Sequence, residues 1–200
     1  NRFGPAAELG IYEMQSNGLS AVIDPTSIML SNQEGQREGV STGCILEGIR
    51  PLLIETQSLV TPSYYGTPQR SSTGFDNRRL HMLIAVFEKR IQFPIGAKDV
   101  FLNIAGGIKV TDPGADLAVM ASFLSSCIDS FTMPTKAVFC GEIGLSGEIR
   151  PVSRILQRVT EAEKRGMTTF ITSNQHKKAL KDYKGGLKIE LISHVRQLID

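Results

Sequence analysis

Asp76-Asn77-Arg78-Arg79-Leu80-His81-Met82-Leu83-Ile84-Ala85-Val86-Phe87-Glu88-Lys89-Arg90 is the stretch on which the reading of the fold turns. Leu80, Leu83, Ile84 and Phe87 fall at i, i+3, i+4 and i+7, one face of a helix, and Asp76 is placed to cap its first turn. The spacing predicts a helix from Asp76 to Arg90. Before it, residues 6–60 carry no helical period. Gly10, Gly18, Gly35, Gly39, Gly43 and Gly48 punctuate short apolar runs there, a pattern of strands and turns. Arg50 to Val60 alternates Leu52, Ile54 and Thr56 with Leu53, Glu55 and Gln57, which predicts a long strand with one apolar and one wetter face. Its expected partner is Gly43 to Ile49, through a turn at Glu47-Gly48, and Asn32 to Gly39 reads as a polar connection.

Working forward from Arg90, the expected elements alternate. Val100 to Ala105 reads as a strand, and Gly114 to Ile128 as a helix with Leu117, Met120, Ala121, Leu124 and Ile128 on one face. Ala137 to Ile143 is a strand. A third helix is opened by Pro151 and Ser153, turns Ile155, Val159 and Ala162 inward, and closes at Gly166. Thr168 to Thr172 and Leu187 to Ile192 are strands, and His194 to Ile199 a short last helix. Strands first, then strands and helices in turn, predict an α+β or mixed α/β domain with helices packed on a sheet.

Composition bounds what such a domain does. The 200 residues are 41% hydrophobic and 21% charged, one ordinary globular domain, and 22 Lys plus Arg against 20 Asp plus Glu give a net charge of +2. Contact with nucleic acid therefore has to come from local clustering of charge. No apolar run reaches the roughly 18 residues that a membrane span needs. Cys44, Cys127 and Cys140 lie far apart, without the spacing of a zinc site or a disulfide framework. The first residue is Asn1, which predicts a piece of a longer protein.

Between Gly66 and Arg90, five basic residues (Arg70, Arg78, Arg79, Lys89, Arg90) face two acidic ones (Asp76, Glu88). A loop of glycines and hydroxyls, running into a helix start and carrying guanidinium groups, has the chemistry to hold phosphate oxygens. Lys109 follows Gly106-Gly107 as a weaker companion. Asp112 reads as a helix-start cap and, with Asp116, as the other candidate pair, for a metal or for acid–base work. Gly141 to Gly147 matches neither phosphate-binding glycine pattern and reads as a tight turn between strands. His81, His176 and His194 are scattered, and no candidate nucleophile sits beside them. The charged run Arg154 to Arg165, with Arg158, Glu161, Glu163 and Lys164, reads as a solvated helix face. Lys177, Lys178, Lys181 and Lys184 read the same way, with a secondary DNA contact there as the other possibility.

Several stretches together resemble one family. Asn1-Arg2-Phe3-Gly4 resembles the end of the Lys-Asn-Arg-Phe-Gly motif of the bacterial RadA (Sms) recombination proteins. Glu8 to Met14, Pro68 to Asp76, Leu83 to Arg90, Ala105 to Lys109, Asp116 to Ala118 and Gly141 to Arg154 agree with the same family in order along the chain. The resemblance implies that residues 1–5 end a linker from an ATPase core. It implies that residues 6–200 form a domain like the proteolytic domain of Lon, of the ribosomal protein S5 domain 2 class, with helices on a mixed sheet. A zinc finger and a RecA-like core that uses ATP and Mg are implied upstream. Aligned on the Lon motifs, Ala115 stands at the serine nucleophile and Leu156 at the lysine base, so the Ser–Lys dyad is missing and no catalytic residue is expected.

The resemblance further implies a homo-hexameric ring acting on single-stranded or branched DNA beside a RecA-type recombinase, in the bacterial cytoplasm or an organelle and away from membranes. Arg2 would reach the nucleotide of a neighbouring subunit in trans. Arg70, Arg78, Arg79 and Lys109 would contact DNA phosphates. The alternative is an oligomerisation scaffold that does not touch DNA.

Overall fold

The structure, a computed structural model, describes residues 12–15, 18–21, 30, 37–64, 66–129, 131 and 133–199. Arg2, residues 6–11 and most of the connection from Asn32 to Gly39 lie outside the described residues.

A small hairpin, β1 (Tyr12–Gln15) with β2 (Gly18–Ala21), precedes the main sheet. β3 (Val40–Glu47) and β4 (Arg50–Pro62) form the expected antiparallel hairpin, with Glu47 opposite Arg50 across the turn. β5 (Arg70–Thr73), β6 (Lys98–Ile104), β7 (Ala137–Cys140), β10 (Thr169–Ser173) and β11 (Lys188–Ile192) complete seven strands in the order β11-β10-β7-β3-β4-β6-β5. β4 alone runs against the other six. The carboxyl ends of six strands therefore line up along one end of the sheet, where loops of open sheets gather ligand-binding groups. β8 (Glu142–Ile143) and β9 (Ile149–Arg150) make a separate hairpin at that end, so Gly141 to Gly147 is the turn that the sequence predicts.

Helices cover both faces. α1 (Asn77–Val86) buries Leu80, Leu83 and Ile84, and Asp76 caps it by accepting from the Arg79 N–H at 2.9 Å. The helix changes to a π turn at Phe87–Ile91 and stops at Gln92, in the left-handed region with φ 65°. α2 (Asp116–Cys127), with a short 3-10 turn at Pro113–Ala115, packs on the same face of the sheet. α3 (Ile155–Lys164) packs on the other face against Cys44, Leu53, Val138, Cys140 and Phe170.

Four expectations change. Arg70 to Thr73, read as loop, is an edge strand parallel to β6, pinned at its start by the Gln69 N–H donating to Asp99 at 2.8 Å. β4 has no wet face from Leu52 to Thr56, because α2 covers one side and α3 the other. α2 has no polar face over its first ten residues, and its hydroxyls bond the sheet instead. Ser58 and Ser122 share a hydrogen bond of 2.5 Å, and the Gly39 and Val60 N–H groups donate to Ser125 and Ser126 at 3.0 Å. Arg158, read as solvated, is fully buried.

Gly74 fixes how β5 enters α1. Its φ is +77°, its carbonyl accepts from the Val110 N–H at 2.7 Å, and a Cβ there would lie 2.5 Å from the Ile108 carbonyl oxygen. Left-handed backbone plus that clash predicts that Gly74→Ala destabilises the fold by about 2 kcal/mol or more. Urea unfolding monitored by circular dichroism measures this; a midpoint equal to that of the wild type would refute it.

Candidate nucleic-acid interface

Two carboxylates stand at the start of α2, and each has its own arginine. Asp116 is fully buried and is gripped by Arg79, whose Nε donates to Oδ1 at 2.5 Å and whose Nη2 bonds Oδ2. The Ile143 N–H donates to the same Oδ2 at 3.0 Å. Burial pushes the Asp116 carboxyl up to about 6, while the Arg79 hydrogen bonds and the Ile143 N–H pull in the other direction. The same pairing raises Arg79 above its ordinary value.

Asp112 caps as predicted, accepting from the Gly114 N–H at 2.9 Å, and it also accepts from the Leu46 N–H at 2.5 Å. Its partner is Arg158, 2.7 Å away. Arg158 donates as well to the Cys44 carbonyl at 2.7 Å and the Ser153 carbonyl at 2.9 Å, so each edge of the buried guanidinium is satisfied. A Cβ on Gly114 would meet Arg158 Nη1 at 2.8 Å, so a side chain there would push the guanidinium from its place. Asp112 and Asp116 are therefore two separate ion pairs and do not share a site.

No nucleophile is activated beside them. Burial raises the Cys44 thiol well above its ordinary value and the Cys140 thiol to about 12, away from the reactive thiolate. His176 Nε2 accepts from the Val152 N–H at 3.0 Å, and burial lowers its pKa. His194 accepts from the Arg196 N–H and bonds the Ser146 carbonyl, and His81 lies exposed on α1. Ala115 is fully buried, whereas Leu156 is 47% exposed on α3. Among the described residues no group of three or more His, Cys, Asp or Glu could hold a metal ion, and no helix is long and apolar enough to cross a membrane.

The four phosphate-contact candidates separate by environment. Arg78 is exposed in the first turn of α1, with no ion-pair partner among the described residues. Lys109 is exposed too, and the Val110–Gly74 hydrogen bond ties its loop to the turn that leads into α1. Both leave the carboxyl ends of neighbouring strands, β5 and β6. Arg70 is exposed at the opposite end of β5 and donates to the Gly96 carbonyl at 2.9 Å. Arg79 points inward to Asp116 with about a third of its side chain exposed. Sequence reasoning missed the Arg79–Asp116 and Arg158–Asp112 pairs. Arg158 does carry a signal, since Ile155, Arg158, Val159 and Ala162 repeat the i, i+3, i+4, i+7 spacing of a buried face.

Asp116→Ala strips Arg79 and the buried Ile143 N–H of their acceptor, so it is expected to cost about 2 to 3 kcal/mol, with part recovered in Arg79→Met/Asp116→Leu. Denaturant unfolding of both variants checks it, and an Asp116→Ala protein as stable as the wild type would overturn it. The pH dependence has a defined sign. The Asp116 carboxyl holds its proton more tightly folded than unfolded, so its contribution to stability falls as pH rises from about 4 to about 6. Asp116→Asn should remove that slope from a series of thermal melts; an unchanged slope assigns it to other groups.

The family model described as subunit ChlI of Mg-chelatase matches residues 65–176, more than half of the chain. The DNA repair protein RadA of Bacillus subtilis is 43% identical over 171 residues, 86% of this chain and 37% of the relative. The DNA repair protein RadA of Brucella abortus is 43% identical over 166 residues, 83% and 35% respectively. That of Streptococcus pyogenes serotype M1 is 40% identical over 200 residues, 100% and 44%. The chain thus spans about two-fifths of the length of these curated relatives. It belongs to the ChlI family, and its sequence is homologous to the C-terminal portion of RadA.

Proposed function

We propose that this chain is a catalytically inert, Lon-like domain that grips the DNA phosphate backbone within a RadA-type, ATP-driven DNA repair and recombination motor. The observation that carries the reading is that Arg78 and Lys109 lie on segments leaving the same ends of two neighbouring strands. Two exposed cations without ion-pair partners among the described residues, from segments far apart in sequence, are tied together at the carboxyl ends of β5 and β6 by the Val110–Gly74 hydrogen bond. Relatives named as DNA repair proteins support it. Backbone contact of this kind is insensitive to base sequence and steeply dependent on salt.

Inertness as a peptidase is supported at both aligned positions. Ala115 has neither hydroxyl nor access to solvent, Leu156 has no amine, and Arg158 with Asp112 fills the space over Gly114. In a hexameric ring a modest patch on each subunit would add by avidity, which reconciles DNA binding with a net charge of +2. Arg2 contacting nucleotide in trans, ATP with Mg and a zinc finger upstream, a RecA-type recombinase as partner and the bacterial cytoplasm as location complete the proposal. Arg79 serves it indirectly, holding the first turn of α1 so that Arg78 faces solvent.

One observation favours the scaffold reading. Leu59 and Phe101 are cross-strand partners on β4 and β6, and both are exposed, at 59% and 36%. A protein contact would cover them. Arg78→Glu/Lys109→Glu separates the readings by single-stranded DNA binding across a salt series, with mass from light scattering. The DNA reading expects weaker binding, unchanged mass, and a salt slope shallower by about 0.7 for each phosphate that the variant no longer neutralises. Unchanged DNA binding would remove the Arg78–Lys109 site, and a wild-type chain that forms multimers without binding DNA would leave the scaffold.

A further inference from the structure

A second basic surface lies at the far side of the sheet, and the Arg78–Lys109 site does not absorb it. Lys177, Lys178, Lys181, Lys184 and Lys188 fall within twelve residues that hold one acidic side chain, Asp182. Lys188 pairs with Glu190 at 2.7 Å. The other four are exposed and have no ion pair among the described residues. This contrasts with the arginines of the core region: Arg79, Arg150, Arg158 and Arg165 all pair with carboxylates.

The four lysines are held in place and do not sit on a loose loop. A 3-10 turn, Asn174–Lys177, follows β10 directly, and the Leu180 N–H donates to the His176 carbonyl at 2.9 Å. Leu180 and Leu187 are buried against α3, with Tyr183 packed beside them. His176 anchors the turn to the loop before α3 through its bond to the Val152 N–H. That loop delivers exposed Arg154, which has no carboxylate partner among the described residues. Apolar anchors point inward, so the ammonium groups point out. Of the nearby carboxylates, Glu163 accepts from the Gly186 N–H at 2.7 Å, Glu161 pairs with Arg165 at 2.9 Å, and Asp182 stands exposed within the run, one anion against four cations.

β10 ends at the same end of the sheet as β5 and β6, five strand spacings from β5, about 24 Å. Between the two surfaces stands the β8–β9 hairpin, where Glu142 and Glu148 neutralise Arg150. The basic regions are therefore distinct. We infer that Lys177, Lys178, Lys181 and Lys184, with Arg154, form a second surface for the phosphate backbone of a nucleic acid. Compact, exposed ammonium groups on flexible stems suit a line of phosphates and carry no base readout. The inference rests, like the proposed function, on the premise that the chain binds DNA, but it does not depend on Arg78 or Lys109.

The test is Lys177→Glu/Lys178→Glu/Lys181→Glu/Lys184→Glu, in which Leu180, Tyr183 and Leu187 remain to hold the fold. Binding to an oligo-dT strand long enough to cross the sheet is measured over a salt series, beside Arg78→Glu/Lys109→Glu and the wild type. The inference expects the fourfold variant to bind at least about tenfold more weakly at low salt, with a slope shallower by up to about 3 for four phosphates left unneutralised. Weakening in the fourfold variant alone upholds this surface and removes the Arg78–Lys109 reading. Weakening in the Arg78→Glu/Lys109→Glu protein alone does the reverse. If the fourfold variant keeps DNA binding but loses affinity for a polyglutamate peptide that the wild type binds, the surface takes an acidic protein and the inference falls.

Discussion

The carboxylate of Asp116, shut away from solvent, is the constraint on which the carboxyl end of the sheet depends. Three elements that are remote in sequence meet on its two oxygens: α1 through Arg79, the β8–β9 hairpin through the Ile143 N–H, and α2, of which it is the first residue. Taking a carboxylate out of water is costly, and Arg79 with its two parallel bonds offsets much of that cost. The pair adds little net stability over a well-packed apolar pair. Its effect is geometric: a planar guanidinium accepts one orientation, so the first turn of α1 has one direction relative to α2. Arg78, the residue before it, is thereby turned outward on a fixed base.

The second buried pair does for the other face of the sheet what the first does for α1. Arg158 reaches from α3 through to Asp112 and to the carbonyl of Cys44 at the centre of the sheet. It ties α3, β3 and the turn before α2 together. Under the Lon-like reading this is the space where a serine and a lysine would have to approach each other. A guanidinium fills it, 2.8 Å from where a Cβ on Gly114 would lie and bonded to Asp112.

Local features are legible in the sequence because their causes are local. The Asp76 cap, the apolar face of α1, the Glu47–Arg50 turn and the glycine turn after Gly141 all rest on residues a few positions apart. Arg79 and Arg158 escape a sequence reading for the opposite reason: arginine is usually solvated, and the carboxylates that draw these two inside lie 37 and 46 residues away. Edge strand β5 escapes it because Arg70-Ser71-Ser72-Thr73 has no apolar alternation, and its strand conformation comes from pairing with β6. β4 loses its wetter face to α3, a helix whose packing on that strand no local window contains.

Net charge understates what the surface presents, because the two signs are not distributed alike. Carboxylates at the carboxyl end of the sheet are largely paired: Asp112 and Asp116 with buried or half-buried arginines, and Glu142 and Glu148 both with the exposed Arg150. Each of the two buried pairs removes an anion from the surface together with a cation already committed to structure. Among the cations left over, Arg78, Lys109, Arg154 and the lysines from Lys177 to Lys184 have no ion-pair partner among the described residues. Since six of the seven strands run one way, the segments that carry them emerge at the same end of the sheet. A chain with a net charge of only +2 thereby gathers unpaired cations at one end of its sheet through topology.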